Sequence, residues 1–321
     1  MRPFRFGIIN ERLLPAGEWV NRAQRAEELG YDTFLIRDHL LPDVFGYQHA
    51  PLVALAFAAG ATERLRIGTL VLSNDFRHPA MLAKEAATLK VLSGGRFELG
   101  LGAGWLKSEY EAAGIRYDPA SVRIDRLAEA IQVIRRTFGQ EPATFEGTHY
   151  QLRDLDAAPK PAQQSGPPLL LGGGKRMMLQ LAGREADIIS LLTSSVSNGT
   201  LRPDPAEVTP DAVRQKIGWI REGAGVRFDE IELNMIPTMK ITGDPERAAS
   251  ELIAARGWDE IALADVLEMP SIFLGPVDVI AEQMLRRREE YGISYYVVSD
   301  RQMDEVAPLI ARLRSLSAAP A

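Results

Sequence analysis

The feature that most constrains this chain is an alternation running along its length: short β-type runs, each followed by a helical pattern. Parallel strands need a crossover of a dozen or more residues between them, and a helix is the usual one. The candidate strands are residues 4–9 (FRFGII), 33–37 (TFLIR), 66–72 (RIGTLVL), 96–102 (RFELGLG), 168–173 (PLLLGG), 187–192 (DIISLL), 231–241 (IELNMIPTMKI) and 295–299 (YYVVS). Helices are expected over 18–29, stopped by Gly30, over 51–61, and from Pro79 to the Gly94-Gly95 pair. In the helix from Pro79, Leu82, Ala86, Leu89 and Leu92 are expected on one face; a later helix carries Ile124, Leu127, Ile131, Ile134 and Phe138. Further helices run through Leu181, from about Asp211, near Pro245, from Pro276 and through Val306–Leu313.

Eight such units favour a closed α/β architecture, a (β/α)8 TIM barrel with insertions, over an open doubly wound sheet. One insertion reads as a hairpin at 143–152 around Gly147. Another is a Ser-, Asn-, Gly- and Pro-containing excursion at 194–209, and long excursions in compact domains tend to be functional. No linker divides the chain, so 1–321 reads as one domain.

Composition narrows the function. The 321 residues carry a net charge of −6, with basic residues dispersed, which argues against a nucleic-acid footprint or a polybasic membrane patch. Cysteine is absent, which removes thiolate catalysis, disulfides and Cys-ligated metal and fits a cytoplasmic protein. The longest apolar stretch, 50–61, is too short to span a bilayer, and MRPFRFGIINE has no signal-peptide core. The four histidines show no metal-ligand spacing, so no metal is expected.

In a barrel of this kind the chemistry lies where strands end and loops begin. The second strand ends in Arg37-Asp38-His39, and a histidine there can move a proton near neutral pH with a neighbouring carboxylate to orient it. The fourth runs into Gly100-Leu101-Gly102-Ala103-Gly104-Trp105, small residues that let a ligand approach the backbone, then a Trp that is either a platform for a flat ring or core packing. The fifth ends in Gly172-Gly173-Gly174-Lys175-Arg176 before a helix, a cradle suited to an anion. No Gly-x-Ser-x-Gly elbow is present.

Taken in order, Asp38-His39, GTLVLS (68–73), LSGGRFELGLGAGW (92–105), PPLLLGGG (167–174) and AGREADIIS (182–190) resemble the luciferase-like oxidoreductases, in particular their branch using the deazaflavin coenzyme F-420 (F420). The resemblance implies F420, or alternatively FMN, across the barrel mouth. It implies a hydride-transferring oxidoreductase, a small organic substrate and a homodimer. Carried onto this chain, His39 handles the substrate proton beside Trp105, and Asp38 contacts the deazaflavin ring. Leu70-Val71 matches the family's non-prolyl cis peptide behind the ring. Ser73, Ala103, Gly104 and Ser108 line the cofactor, and Gly172, Gly173, Gly174, Lys175 and Arg176 hold its phosphate. The family's sugar-phosphate dehydrogenases have a catalytic Glu where this chain has Trp105, with Glu109 the nearest acid beyond, which points to a reductase or dehydrogenase for a more apolar or bulky substrate.

Overall fold

The structure, a computed structural model, describes residues 2–42, 45–161, 166–197 and 199–318. In chain order the elements are β1 (Arg5–Asn10), α1 (Ala16–Glu28), β2 (Thr33–Ile36), α2 (Pro51–Gly60), β3 (Arg66–Thr69), β4 (Leu72–Ser73), α3 (Pro79–Leu92), β5 (Phe97–Gly102), α4 (Lys107–Ala112) and α5 (Ala120–Phe138). There follow β6 (Ala143–Glu146), β7 (Gln151–Leu155), β8 (Leu169–Gly173), α6 (Arg176–Glu185), β9 (Ile188–Leu191), β10 (Ser195–Ser197), β11 (Thr200–Arg202) and α7 (Pro210–Ala224). The chain ends with β12 (Glu232–Met235), β13 (Thr238–Ile241), α8 (Pro245–Arg256), α9 (Leu263–Glu268), β14 (Ile272–Gly275), α10 (Val277–Tyr291), β15 (Ile293–Ser299) and α11 (Met303–Ala318).

Strands β3, β2, β1, β15, β12, β9, β8 and β5 lie side by side, and β3 pairs again with β5, closing the ring. Every pair in the ring is parallel. This is the expected eight-stranded barrel. Its interior is filled by Ile9, Leu35, Leu70, Leu170, Ile188, Tyr295 and Val297. A larger apolar layer between the strands and the outer helices includes Phe6, Phe34, Ile67, Phe97, Leu171 and Tyr296.

At the N-terminal end of the strands the ring is plugged by charge. Arg5 binds Glu98 and Glu232, lies over the Tyr295 ring at 4.3 Å and donates to Thr33 at 3.1 Å, while Arg66 also reaches Glu98. Ligands of a barrel of this kind bind at the opposite, C-terminal rim.

Several elements differ from the sequence reading. The expected third strand is broken into β3 and β4 at a cis Leu70–Val71 peptide. The expected seventh strand is two: β12 enters the ring, whereas β13 leaves it and pairs with β14, which hydropathy did not reveal. Pro237 lacks an N–H to continue the ladder, and it stands between the two. With α8 and α9, this satellite has its own core around Ala249, Trp258, Val266 and Ile272. The excursion at 194–209 holds a β10–β11 ribbon, with Asn198 outside the described residues. Leu92 is 73% exposed instead of sharing the buried face of Leu82, Ala86 and Leu89. Ten residues beyond Leu82, at about 100° each, it has rotated about 80° off that face. Finally α4, six residues long, was too short to give a periodic signal.

Candidate active site at the barrel mouth

His39 leaves the end of β2 and meets Glu109 from the first turn of α4, seventy residues on in sequence. Its Nδ1 lies 3.2 and 3.1 Å from the two Glu109 oxygens. Oε1 of Glu109 also accepts the backbone N–H groups of Leu40 (2.6 Å) and Leu41 (3.1 Å). Burial pushes the Glu109 carboxyl up, but the His39 hydrogen bond and the two N–H donors outweigh burial and hold it below its ordinary range. An ionised carboxylate only accepts, so Nδ1 of His39 is the donor and carries the proton. Nε2 then has no hydrogen-bond partner among the described residues and is the nitrogen free to exchange a proton. The ring is fixed from its faces as well: Trp105 meets it edge-on at 5.8 Å and Phe45 at 5.2 Å, with Arg37 stacked on Phe45 at 3.8 Å.

Asp38 does not orient His39, as the sequence reading allowed. It receives Arg77 on both oxygens (Nη2 to Oδ1, 2.9 Å) and the N–H of Ser73 at 3.0 Å. Adjacent side chains on a chain leaving a strand diverge, so Asp38 and His39 serve different partners. Asp38 thereby fixes Ser73 and the turn that follows β4.

The cis Leu70–Val71 peptide places Val71 beside the glycines of the neighbouring strands. A methyl group on Gly102 would meet Val71 at 2.8 Å; on Gly172 it would meet Val71 only at 3.6 Å. Gly104, at φ +72, has no room at all, since a Cβ would fall 1.8 Å from the Tyr110 hydroxyl. The result is a floor of Val71, Gly102 and Gly172 with almost no side-chain relief. Ala103 and Gly104 rim it, and Ser108 nearby has a buried hydroxyl with no hydrogen-bond partner, the kind of group a ligand satisfies.

Gly173 and Gly174 lead into α6, whose N-cap Lys175 makes no side-chain cap, leaving the first-turn N–H groups open. Lys175 pairs with Glu207 and Arg176 with Glu222, so neither cation is idle. The structure thus brings His39 and Trp105 together. Val71, Ser73, Ala103, Gly104, Ser108 and the Gly172–Arg176 loop lie at or just beyond the C-terminal ends of neighbouring strands, and Leu70 packs in the barrel interior below them. Sequence reading did not find Glu109, Arg77 or Phe45 as site residues; an acid in a first helical turn was the one available signal for Glu109. Among the described residues no cluster of His, Asp or Glu has metal-ligand geometry.

A closed parallel barrel with a His–carboxylate pair and a glycine floor at its C-terminal rim defines an α/β-barrel enzyme. The chain belongs to the luciferase-like monooxygenase family, whose model matches residues 5–215. It is 32% identical over 266 residues to an F420-dependent glucose-6-phosphate dehydrogenase of Microbacterium testaceum, spanning 81% of this chain and 74% of that one. It is 34% identical over 270 residues to the 4-hydroxyprotoasukamycin monooxygenase of Streptomyces nodosus subsp. asukaensis, spanning 80% and 69%. The fold matches that of the coenzyme F420-dependent tetrahydromethanopterin reductase from Methanopyrus kandleri, with a TM-score of 0.75 at 18% identity over 97% of this chain and 100% of that one.

Proposed function

We propose that the chain, as one barrel unit over 1–321, is an F420-dependent oxidoreductase moving a hydride between the deazaflavin and an organic substrate. The observation that carries this is the His39–Glu109 pair at the same C-terminal end of the ring strands as the Val71–Gly102–Gly172 floor. A floor of one valine side chain between two glycines suits a flat tricyclic ring, the orphaned Ser108 hydroxyl suits its polar edge, and the Gly172–Arg176 turn suits an anionic tail. Bound there, the deazaflavin supplies or accepts the hydride.

The chain's own residues do the rest. In the oxidising direction the bare Nε2 of neutral His39 takes the proton from the substrate heteroatom; in the reducing direction His39 acts as the imidazolium, protonated at Nε2 from solvent, and gives that proton to the substrate. Glu109 holds the imidazole in the tautomer that leaves Nε2 free and steadies the imidazolium when it forms. Trp105 and Phe45 wall the imidazole with apolar surface, keep water from it and favour an apolar face on the substrate. Trp105 cannot carry a proton, so it is a platform. With Trp105 at the position of the sugar-phosphate dehydrogenases' acid, we favour reduction of an apolar carbonyl, imine or activated alkene over oxidation of a sugar phosphate.

We also propose a homodimer. The outer face of α2 (PLVALAFAAG) has no charged residue and exposes Val53 and Phe57 (74% and 54%), and Met81 and Leu92 of α3 are exposed as well. An apolar face of that kind on a helix pair is usually an interface. Among the described residues no helix is long and apolar enough to cross a membrane, and we place the protein in the cytoplasm with a small-molecule substrate.

A second reading, an FMN-dependent monooxygenase, is favoured by the similarity to 4-hydroxyprotoasukamycin monooxygenase. Fluorescence titration with oxidised F420 and, separately, FMN decides between them. Selective F420 binding, with substrate reduction that is independent of oxygen, is expected. Selective FMN binding with oxygen uptake would replace this proposal by the second reading.

A further inference from the structure

Three charges meet behind the glycine turn. Glu207, in the short helical turn Pro205–Glu207 of the excursion, receives Lys175 on Oε1 and Lys216 on Oε2 at 2.8 Å. Lys175 is the residue that starts α6, and its side chain is 64% exposed. Lys216 comes from α7 and is 2% exposed. Its ammonium also donates to the carbonyls of Leu192 (2.8 Å) and Glu207 (3.0 Å). The Leu192 carbonyl is itself packed on Gly174, 3.0 Å from where a Cβ would stand. The cluster therefore lies directly against the turn assigned above to the anionic tail. Burial pushes the Glu207 carboxyl up, but Lys175 and Lys216 outweigh it and keep it ionised.

We propose that Glu207 is an internal anion that competes with the cofactor's phosphate for Lys175, and that Lys216 sets how strongly it competes. Lys216 is anchored by two carbonyls and cannot follow a ligand, so its charge is committed to Glu207. Among the described residues Lys175 is held by Glu207 alone, and it sits on an exposed stem, so it is the cation that can turn to a phosphate at the α6 N-terminus. With Lys216 in place, Glu207 remains half-neutralised when Lys175 leaves, and the exchange is inexpensive. Without Lys216, Glu207 holds Lys175 as its only counter-ion, and the phosphate loses it. The residue pair thus tunes tail affinity, and through it the preference for a phosphate-bearing cofactor over the bare ring system. This rests on the reading that the tail lies over Gly172–Arg176.

The test is titration of the intact protein with F420 and with a 5-deazariboflavin that ends at the ribityl hydroxyl. Glu207→Gln is expected to tighten F420 binding about fivefold, the size of a partly exposed ion pair, and to leave 5-deazariboflavin binding unchanged. Lys216→Met is expected to weaken F420 binding by a similar factor, and the double variant to bind as Glu207→Gln does, because Lys216 acts only through the Glu207 charge. Both effects should shrink as salt rises. Because Lys216→Met removes a partner from two buried carbonyls and can misfold, Glu207→Gln decides the matter alone, with circular dichroism as the check on folding. Unchanged F420 affinity in Glu207→Gln, or an equal shift for both ligands, overturns the proposal. If the wild type binds FMN and not F420, the cofactor reading fails separately, and the same variants are read with FMN against riboflavin. Binding of none of these ligands removes the anion cradle and this proposal together.

Discussion

At the residue scale the functional reading concentrates on one hydrogen bond, from Nδ1 of His39 to Glu109. His39→Ala should lower turnover about 10²–10⁴-fold, the usual size of a lost acid–base group, while F420 affinity stays within a few-fold. Steady-state turnover beside the titration checks this, and an unchanged rate would return the histidine to a packing role. Glu109→Gln keeps the shape but loses the charge that two backbone N–H groups and the imidazole were built around. It should cost about 1.5–3 kcal/mol of stability at neutral pH. The sign with pH follows from the depressed carboxyl. The folded value lies below the unfolded one of about 4.3, so the contribution is fully present above that and fades as pH falls through the folded value. Urea midpoints of the wild type and Glu109→Gln should therefore converge at acid pH. A gap that persists unchanged there contradicts this account of an ionised carboxylate held by three N–H donors.

At the scale of elements, the strand ends decide what the mouth can hold. Glycines in neighbouring ring strands do different jobs despite a common appearance in the sequence. A Cβ on Gly100 would fall 1.8 Å from the Thr69 carbonyl oxygen, a backbone atom that cannot move aside. A Cβ on Gly172 meets only Val71, at ordinary contact distance. Gly100→Ala should therefore abolish soluble, folded protein. Gly172→Ala should fold with a melting temperature within a few degrees of the wild type yet bind the cofactor at least tenfold more weakly, because its methyl stands on the proposed floor. Normal F420 affinity in Gly172→Ala would place the ring elsewhere. The fourth-strand glycines and the Gly172–Gly174 turn were legible as close-approach sites. That Gly100 closes the ring against Thr69 was not, because the contact joins strands about thirty residues apart.

For the molecule as a whole, the two ends of the barrel are separable. The Arg5–Glu98–Glu232–Arg66 plug sits at the end away from His39, so Glu98→Gln should destabilise without changing turnover per folded molecule. Removing one partner of a buried pair costs about 3–5 kcal/mol, read as a lower denaturant midpoint. The outer face bears on assembly: Phe57→Glu on α2 should convert a dimer to a monomer in sedimentation equilibrium, with the cofactor site intact. A monomeric wild type would remove the dimer proposal and leave the apolar face of α2 without a role.

The barrel was legible in the order of residues alone. Its eight β-runs with intervening helices repeat a local periodicity, and crossover handedness leaves few ways to close them. That order also marked His39, Trp105 and the Gly172–Arg176 turn, because strand ends and glycine clusters are local signals. Which carboxylate serves which partner emerged from the folded chain. Asp38, adjacent to His39 in the chain, is taken by Arg77, and Glu109, seventy residues away, is the one that reaches the imidazole. Only the folded chain showed that 231–241 is divided between ring and satellite, and that Lys216 stands behind Gly174. The physical reason is common to these cases. Periodicity reports which face of an element is buried, whereas hydrogen bonds and ion pairs depend on distances between elements that only closure of the ring fixes.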